Sequence, residues 1–174
     1  MKADVTHTPL SWGILGTGRI ATVFAKAVRA SEQGQLKAVA SRRAETAEDF
    51  ASSHDVARVY GSYAQILNDS EVEAVYVSLP NHLHAPWTMQ LAEAGKHVLC
   101  EKPLAMNHVE ASRMIDAAEI ADVFLMEAFM YRCHPQTDRL VELIRSGIIG
   151  TVRHVRASFS SNARCTTHGH PLPT

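Results

Sequence analysis

A short segment near the amino terminus combines two glycines with a small residue at fixed spacing. Residues 16–21 read GTGRIA, which fits the pattern G-x-G-x-x-A. In this pattern the first glycine allows a tight turn, the second lets the backbone approach a pyrophosphate, and the small last residue lets a helix pack closely on a strand. Two glycines in a turn are common, so a plain loop is the alternative. The predicted phosphate contacts are Gly16, Thr17, Gly18, Arg19 and Ile20.

A serine and two arginines stand about 20 residues further along, where a domain that binds NAD usually carries Asp or Glu. That carboxylate binds the ribose 2′-hydroxyl of NAD and repels the 2′-phosphate of NADP. Ser41, Arg42 and Arg43 occupy the position here, and they can hydrogen-bond a phosphate and neutralise its charge. A solvated helix start is the alternative interpretation. We predict NADP as the cofactor, in preference to NAD.

Leu79, Pro80, Asn81 and His84 form a second segment, directly after a long apolar run. Proline lacks a backbone donor, so Pro80 marks the carboxyl end of a strand. Asn81 is predicted either to cap the next helix or to contact a cofactor. His84 falls in the first turn of that helix, where a packed or solvated ring competes with a cofactor contact. The position of the segment favours a role in lining a cofactor site.

Glu101, Lys102 and Pro103 follow the next apolar run, at another predicted strand end. A lysine held there by a rigid proline can polarise a substrate oxygen or pass a proton once it is desolvated. A plain surface lysine is the alternative.

The elements that must position these residues alternate between strand and helix. Strands that alternate with helices of ten or more residues predict a parallel, doubly wound α/β sheet. Such a sheet binds ligands outside the carboxyl ends of its strands, where every motif above falls. The predicted strands are 11–16, 36–40, 73–79, 97–100, 123–126 and 151–159, with a short segment around residue 59, and predicted helices include 44–53, 83–94 and 135–146.

Two further helices are predicted from stripes of apolar residues at helical spacing. The second of them is opened by Asn107 and Glu110, which are spaced as in a capping box. After Ser160 the sequence shows neither the spacing of a helix nor the alternation of a strand, so no regular element is predicted there. The predicted buried stripes are Ile20, Val23, Phe24, Ala27 and Val28 on the first helix, and Ala111, Met114, Ile115 and Ala118 on the second.

The composition is that of a globular chain that acts on small molecules. Its 174 residues are 46% hydrophobic and 20% charged, with 17 Lys and Arg against 18 Asp and Glu. The charges form no long block of one sign, so we expect neither a nucleic-acid nor a membrane partner. The length suffices for one full domain and the start of another.

Three cysteines, an odd number, stand in a chain whose first residues lack the apolar stretch of a secretory signal. We therefore expect a protein of the reducing cytoplasm. Cys100 is predicted to be a small buried hydrophobic residue. No metal is expected, because His154, His168 and His170 fit no strong ligand spacing.

The motifs together resemble the Gfo/Idh/MocA family, named for glucose-fructose oxidoreductase and inositol dehydrogenase. The segments that carry the resemblance are GTGRIA, LPNHLHAPW, AGKHVLCEKPLAMN and MEAFMYRCHPQ, within residues 10–157. The resemblance implies an NAD(P)-dependent oxidoreductase of the dihydrodiol or xylose dehydrogenase-like branch. It implies a Rossmann domain over residues 1–127, and over residues 128–174 the start of a second α+β domain. Hydride would move between the nicotinamide and a carbinol carbon of a sugar, polyol or diol.

The resemblance also assigns roles to individual residues. Lys102 matches the family's catalytic lysine, which contacts the substrate hydroxyl and assists proton transfer. Glu101 matches the glutamate that orders the nicotinamide end, and the segment from Pro80 to His84 matches one that lines the cofactor. Arg132 corresponds to an arginine near the nicotinamide in branches that often use NADP.

Members of the family continue well beyond the equivalent of Thr174, into a domain that completes the proton relay and often serves oligomerisation. We therefore expect a truncated chain, whose full-length relatives form homo-oligomers. Two alternatives to an active enzyme stay open at this point. One is a sensor that binds NAD(P) without turnover, and the other is an inactive fragment.

The choice of cofactor yields a first test. We expect Arg42→Ala to weaken NADPH binding by about 1–3 kcal/mol, the cost of a lost charge-assisted contact, and to leave NADH binding nearly unchanged. Fluorescence titration of both cofactors measures the two effects. An equal loss for NADPH and NADH would contradict the assignment.

Overall fold

A computed structural model describes residues 8–158 and the short strands Thr166–Thr167 and His170–Pro171. The chain divides into two compact units, of which the first ends at Phe129 and the second begins at Met130. In the described residues, no helix is long and apolar enough to cross a membrane. The first unit contains β1 (Leu10–Leu15), α1 (Arg19–Arg29), β2 (Gly34–Ala40), α2 (Ala44–His54), β3 (Arg58–Tyr60), β4 (Ala74–Val77), α3 (His84–Glu93), β5 (His97–Cys100), α4 (His108–Ile120) and β6 (Leu125–Glu127).

The six strands of the first unit form one parallel sheet in the order β3-β2-β1-β4-β5-β6. This is the strand order of a doubly wound Rossmann sheet, so the predicted α/β fold class is confirmed. The order reverses direction between β1 and β4. The connections that follow β1 and β4 lead to helices on opposite faces of the sheet, and they border a crevice at the carboxyl ends of these strands, which is where open α/β sheets bind their ligands.

Both faces of the sheet are covered, as a parallel sheet requires. Leu15, Val75 and Val77 pack in a core with residues of α3 and α4. Ile14 and Tyr76 alternate with them and pack in a second core with residues of α1 and α2. Each fully buried side chain of this size contributes about 1.5–3 kcal/mol, so the two layers together fix the strands that carry the crevice.

The predicted helix stripes are partly wrong. Val23 on α1 is 57% exposed and Ile115 on α4 is 46% exposed, and Ala27 is also exposed. The face of α1 that packs on the sheet is instead centred on Ala21 and Ala25. Because these side chains are small, the helix lies close to the sheet and only a narrow stripe of it is covered.

The amino terminus of α4 is capped, but as half of a capping box. The Asn107 side chain accepts a hydrogen bond from the Glu110 amide at 3.0 Å, as predicted. The Glu110 carboxylate does not accept from the Asn107 backbone amide; it accepts from the Met106 backbone amide at 3.0 Å and from the Asn107 side-chain amide at 3.4 Å. The loop before α4 is therefore tied to the helix one residue earlier than in a full box.

The second unit contains α5 (Pro135–Arg145), which confirms the predicted helix, and the paired strands β7 (Thr166–Thr167) and β8 (His170–Pro171), where no element was expected. The strand predicted over residues 151–159 is wrong for residues 151–158, which form no strand, and Phe159 lies outside the described residues. Alternating residues favour an extended chain, but a strand also needs a neighbour to pair its backbone groups.

A buried carboxylate joins the connections around β3. Asp69, with a side chain only 1% exposed, accepts hydrogen bonds from Arg58 Nη1 at 2.5 Å, the Tyr60 hydroxyl at 2.9 Å and the Glu71 amide at 3.0 Å. The Lys96 ammonium donates to the Asp69 carbonyl at 2.6 Å. Burial raises the pKa of Asp69, but the hydrogen bonds from Glu71, Tyr60 and Arg58 outweigh it and lower the pKa overall.

We expect Asp69→Asn to lower the free energy of unfolding by about 2–3 kcal/mol at neutral pH, because the three donors around this buried position lose a charged acceptor. A carboxyl group whose pKa is lowered by folding stabilises the protein above its unfolded-state pKa of about 3.9, and this contribution is lost as pH falls through the folded-state value. The difference between wild type and variant therefore shrinks as the pH falls below the unfolded-state value and towards the lower folded-state value. Urea unfolding of wild type and variant at neutral pH and at a pH below about 3.9 tests this, with Glu48→Gln on the exposed side of α2 as the control. A pH-independent difference would contradict it.

Candidate functional site

A cavity of about 600 Å³ opens at the crevice between β1 and β4, within the first unit. It lies at the carboxyl ends of β1, β2 and β4, where the sequence analysis placed the cofactor. Three of the lining residues, Thr46, Tyr63 and Ser78, were not predicted. The lining residues are Gly16, Thr17, Gly18, Ser41, Arg42, Arg43, Thr46, Tyr63, Ser78, Leu79 and Pro80.

The two glycines of the first turn have different structural roles. Gly16 adopts φ +98°, and a Cβ there would lie 3.0 Å from Ser78 Oγ and 3.1 Å from the Ser78 carbonyl oxygen. The fold itself therefore requires glycine at this position. Gly18 has an ordinary extended backbone, and a Cβ there would meet nothing within 4 Å. Gly18 lines the cavity and has open space at the position of a Cβ, as a close backbone approach to a ligand requires.

The amino terminus of α1 is left without a cap. Gly18 supplies no side chain, the first turn holds no acidic residue, and the Thr22 amide makes the first backbone bond, to the Gly18 carbonyl at 3.2 Å. The amides of residues 19–21 therefore have no partner within the helix. Arg19 is exposed and the Ile20 side chain packs in the core, so neither side chain lines the cavity. These amides and the positive end of the helix dipole suit a phosphate group.

The end of β2 places two hydroxyls and two guanidinium groups at the cavity. Ser41 is 7% exposed, and its Oγ lies 2.7 Å from Thr46 Oγ1. Because Thr46 donates its own proton to the Arg43 carbonyl at 2.9 Å, Ser41 is the donor in this pair. Arg42 and Arg43 are exposed, and the Arg43 side chain does not cap α2. The arrangement offers positive charge and hydroxyl groups to an anion.

The three lining residues that were not predicted differ in how far the sequence contained a signal for them. Ser78 is a polar residue near the end of the otherwise apolar run 74–79, so the sequence did contain a signal for it. Its hydroxyl donates to the Leu15 carbonyl at 2.8 Å. Thr46 lies three residues beyond Arg43 in the sequence, on the first turn of α2. Tyr63 reaches the cavity from a 3-10 turn and packs edge-on against Trp87 at 5.3 Å, for which the sequence held no local signal.

Asn81 does not cap α3. The helix begins at His84 after a 3-10 turn, and its N-cap residue is Leu83. Asn81 Nδ2 instead donates to Met106 Sδ at 3.0 Å. Asn81 Oδ1 is buried and accepts no hydrogen bond from the described residues. A buried carbonyl oxygen without a donor is costly, and a hydroxyl of a bound ligand would satisfy it.

His84 is a packed histidine, 2% exposed. Its Nε2 lies 2.8 Å from the Leu79 carbonyl oxygen and its Nδ1 lies 2.9 Å from the Pro103 carbonyl oxygen. The ring therefore joins the end of β4, which lines the cavity, to the loop that contains Lys102. Of the readings that the sequence left open, the structure favours the packed ring.

Glu101 and Lys102 lie just beyond the cavity lining, at the carboxyl end of β5. Glu101 is buried and accepts a hydrogen bond from the Lys102 amide at 3.1 Å. The Lys102 side chain is exposed, so the described residues of the first unit do not supply the desolvation that the sequence analysis invokes. The Lys102–Pro103 peptide bond is cis.

Two other predicted residues fall elsewhere. Arg132 is exposed and lies in a 3-10 turn, Met130–Cys133, of the second unit. Cys100 is fully buried, and burial raises the pKa of its thiol to about 12, so it is an unreactive packing residue. Among the described residues, no group of three or more His, Cys, Asp or Glu side chains could hold a metal ion, and His168 lies outside them.

Comparison with known proteins agrees with this geometry. The profile of the Gfo/Idh/MocA group, described as "Oxidoreductase family, NAD-binding Rossmann fold", matches residues 10–129. That range contains the whole sheet, the cavity and the loop of Lys102.

Curated relatives match most of this chain. D-xylose 1-dehydrogenase (NADP(+)) 2 of Haloferax volcanii is 45% identical over 152 residues, which cover 87% of this chain and 46% of the relative. Trans-1,2-dihydrobenzene-1,2-diol dehydrogenase of Danio rerio is 42% identical over 154 residues, which cover 87% of this chain and 46% of the relative. The chain thus spans about half the length of these relatives.

A solved structure shares the fold. KijD10, a 3-ketoreductase from Actinomadura kijaniata in complex with NADP and TDP-benzene, superposes with a TM-score of 0.75 and 36% identity. The match covers 81% of this chain and 43% of that chain.

The different environments of the two glycines generate a prediction. We expect Gly18→Ala to leave the thermal midpoint nearly unchanged, because its Cβ has space, and to raise the NADPH dissociation constant by about tenfold or more, because the Cβ occupies the path of the pyrophosphate. Gly16→Ala is the contrasting variant and should lose about 1 kcal/mol or more of stability from its positive φ. Calorimetry and fluorescence titration measure both effects. Unchanged NADPH affinity in Gly18→Ala would identify the turn as a plain loop.

Proposed function

The chain belongs to the Gfo/Idh/MocA oxidoreductase family, and from that premise we propose that it is an NADP-dependent oxidoreductase acting on a sugar, polyol or dihydrodiol. The observation that carries the proposal is the cavity at the β1–β4 crevice, with open space beside Gly18 and with Ser41, Arg42 and Arg43 at the end of β2. A dinucleotide with an extra phosphate on its adenosine ribose matches both features.

The residues at the crevice fit the parts of a dinucleotide. The free amides at the start of α1 suit the pyrophosphate, which the open side of Gly18 lets approach. The buried Asn81 Oδ1 suits a ribose hydroxyl as its missing donor. When bound, the nicotinamide supplies a carbon that gives or takes a hydride.

The end of β2 favours NADP over NAD. Arg42 and Arg43 offer charge-assisted hydrogen bonds to a 2′-phosphate, and the Ser41 and Thr46 hydroxyls lie beside them. Hydroxyl protons rotate easily, so Ser41 can turn its donor from Thr46 to a phosphate oxygen. The Haloferax volcanii relative is named for NADP(+), and KijD10 was solved with NADP, which supports the same choice.

Lys102 is the proposed catalytic residue, which holds or delivers the proton at the substrate oxygen while hydride moves at the adjacent carbon. Glu101 is proposed to order the nicotinamide end beside it, and Arg132 stays a proposed cofactor residue on the family resemblance alone. The names of the Haloferax volcanii and Danio rerio relatives, a xylose dehydrogenase and a dihydrodiol dehydrogenase, support a vicinal hydroxyl compound as the substrate.

We further propose that residues from 128 onward begin a second domain, that full-length members of the family form homo-oligomers, and that the protein works in the cytoplasm. The free thiols of Cys100 and Cys133 fit a reducing compartment. The fact that the curated relatives are about twice as long as the matched region supports a further domain in those proteins.

The test separates binding from turnover. The 174-residue chain is titrated with NADPH and NADH, and is then assayed at the nicotinamide absorbance with a panel of aldoses, ketoses, polyols and a trans-dihydrodiol. We expect tighter binding of NADPH and hydride transfer with at least one member of the panel. Binding without any turnover would contradict the enzymatic proposal, and failure to bind either cofactor would contradict the proposal as a whole.

We expect Lys102→Met to lower turnover by about 10²-fold or more, because it removes the proton donor, with NADPH affinity changed by less than about threefold. Lys26→Met, at an exposed position on α1, is the matched control and should retain full turnover. Steady-state kinetics with the best substrate measure both variants. Retained turnover in Lys102→Met would remove Lys102 from the mechanism.

A further inference from the structure

A buried tyrosine lies directly behind the loop that carries Lys102. Tyr76 on β4 is 2% exposed, and its hydroxyl donates to Glu101 Oε1 at 2.5 Å. Its ring stacks on Phe24 of α1, with centroids 4.1 Å apart and planes 22° apart, and Phe24 in turn meets Trp12 edge-on at 5.1 Å. The aromatic stack fixes the direction in which the hydroxyl points.

Glu101 links the Tyr76 hydroxyl to the backbone of Lys102. One oxygen of its carboxylate accepts from Tyr76, and the other accepts from the Lys102 amide at 3.1 Å. The Glu101 amide donates to the Val77 carbonyl at 3.0 Å, so the residue is also held from its backbone. The carboxylate is therefore a bridge between a rigid ring in the core and the first residue of the loop.

The rest of the loop is fastened by other side chains. The ring of His84 lies against the Pro103 carbonyl oxygen at 2.9 Å, and Glu127 accepts from the Leu104 amide at 2.9 Å. Neither contact touches Lys102 itself. Among the described residues, Tyr76 acting through Glu101 is the side-chain anchor that reaches the Lys102 backbone.

The protonation state of Tyr76 suits this bridge. Burial, followed by the hydrogen bond and the negative charge of Glu101, raises the pKa of Tyr76 well above its usual value. The tyrosine thus stays a hydrogen-bond donor throughout the pH range in which proteins are folded.

We propose that Tyr76 is a positioning residue for Lys102: its hydroxyl fixes the Glu101 carboxylate, and that carboxylate fixes the backbone from which the Lys102 ammonium is presented. The inference rests on the proposed catalytic role of Lys102. It assigns a function to a core residue that lies 25 positions before its partner in the sequence and outside the cavity.

Tyr76→Phe removes the hydroxyl and keeps the ring that stacks on Phe24. Tyr60→Phe is a matched control, because the Tyr60 hydroxyl also donates to a buried carboxylate, that of Asp69 at 2.9 Å. Tyr60 lies on β3, an edge strand three places away from β4 in the sheet. The first measurement is amide hydrogen exchange by NMR in each variant of the 174-residue chain. We expect exchange at the Lys102 amide to be about tenfold faster in Tyr76→Phe and unchanged in Tyr60→Phe, with the Leu104 amide unchanged in both.

The second measurement is a readout that a purely structural role would not move. In the turnover assay, we expect Tyr76→Phe to lower kcat by about tenfold, with the KM of the substrate and the affinity for adenosine 2′,5′-bisphosphate unchanged. This ligand contains the adenosine end of NADP and lacks the nicotinamide. Tyr60→Phe should keep the kcat of the wild type.

The outcomes are separable. Unchanged exchange at Lys102, or faster exchange with unchanged kcat, would overturn the inference. A wild-type chain that binds no cofactor would contradict the proposed function, and exchange at Lys102 would still decide whether Tyr76 holds the loop. If Tyr76→Phe does not fold, Glu101→Gln tests the same bridge from its other side, since an amide offers one acceptor oxygen in place of two. Wild-type exchange at Lys102 in Glu101→Gln would then overturn the inference.

Discussion

The close approach of Gly16 to Ser78, at the carboxyl ends of β1 and β4, is the contact on which the rest of the site depends. A Cβ at Gly16 would lie 3.0 Å from Ser78 Oγ, and the residue has a positive φ that glycine adopts without strain. This turn sends the chain from β1 directly into α1. The amino terminus of the helix is consequently aimed at the crevice, with its amides free for an anion.

Polar groups of the first unit fall into two classes with different roles. Those of Asp69 and Tyr76 are buried and hydrogen-bonded to distant segments of the chain, and the buried His84 ring lies between two backbone carbonyl oxygens. The amides at the start of α1 and the Asn81 oxygen are in contrast left without partners in the described residues. The engaged groups make the frame rigid at a net gain of about 1 kcal/mol for each hydrogen bond, whereas the open groups are available to hydrogen-bond a ligand.

Sequence periodicity predicted the sheet well because parallel strands are apolar on both faces. The run around Val75 and Val77 was recognisable for that reason, and the glycine turn was recognisable because backbone geometry restricts the residue types. Periodicity failed where packing decided the outcome. Val23 and Ile115 have the spacing of buried residues, but the sheet covers only a narrow stripe of each helix. Residues 151–158 alternate like a strand and have no strand to pair with in the described residues.

By itself, the sequence determined the fold class and located the glycine turn, the serine and the two arginines that line the cavity, because all of these depend on residues close together in the chain. Only the tertiary structure decided which side chains support the site. Tyr76 meets Glu101 because β4 and β5 pair with Val77 opposite Cys100, and Tyr63 reaches the cavity by packing against Trp87. Such contacts are set by strand register and by the packing of distant segments, and a local pattern carries neither.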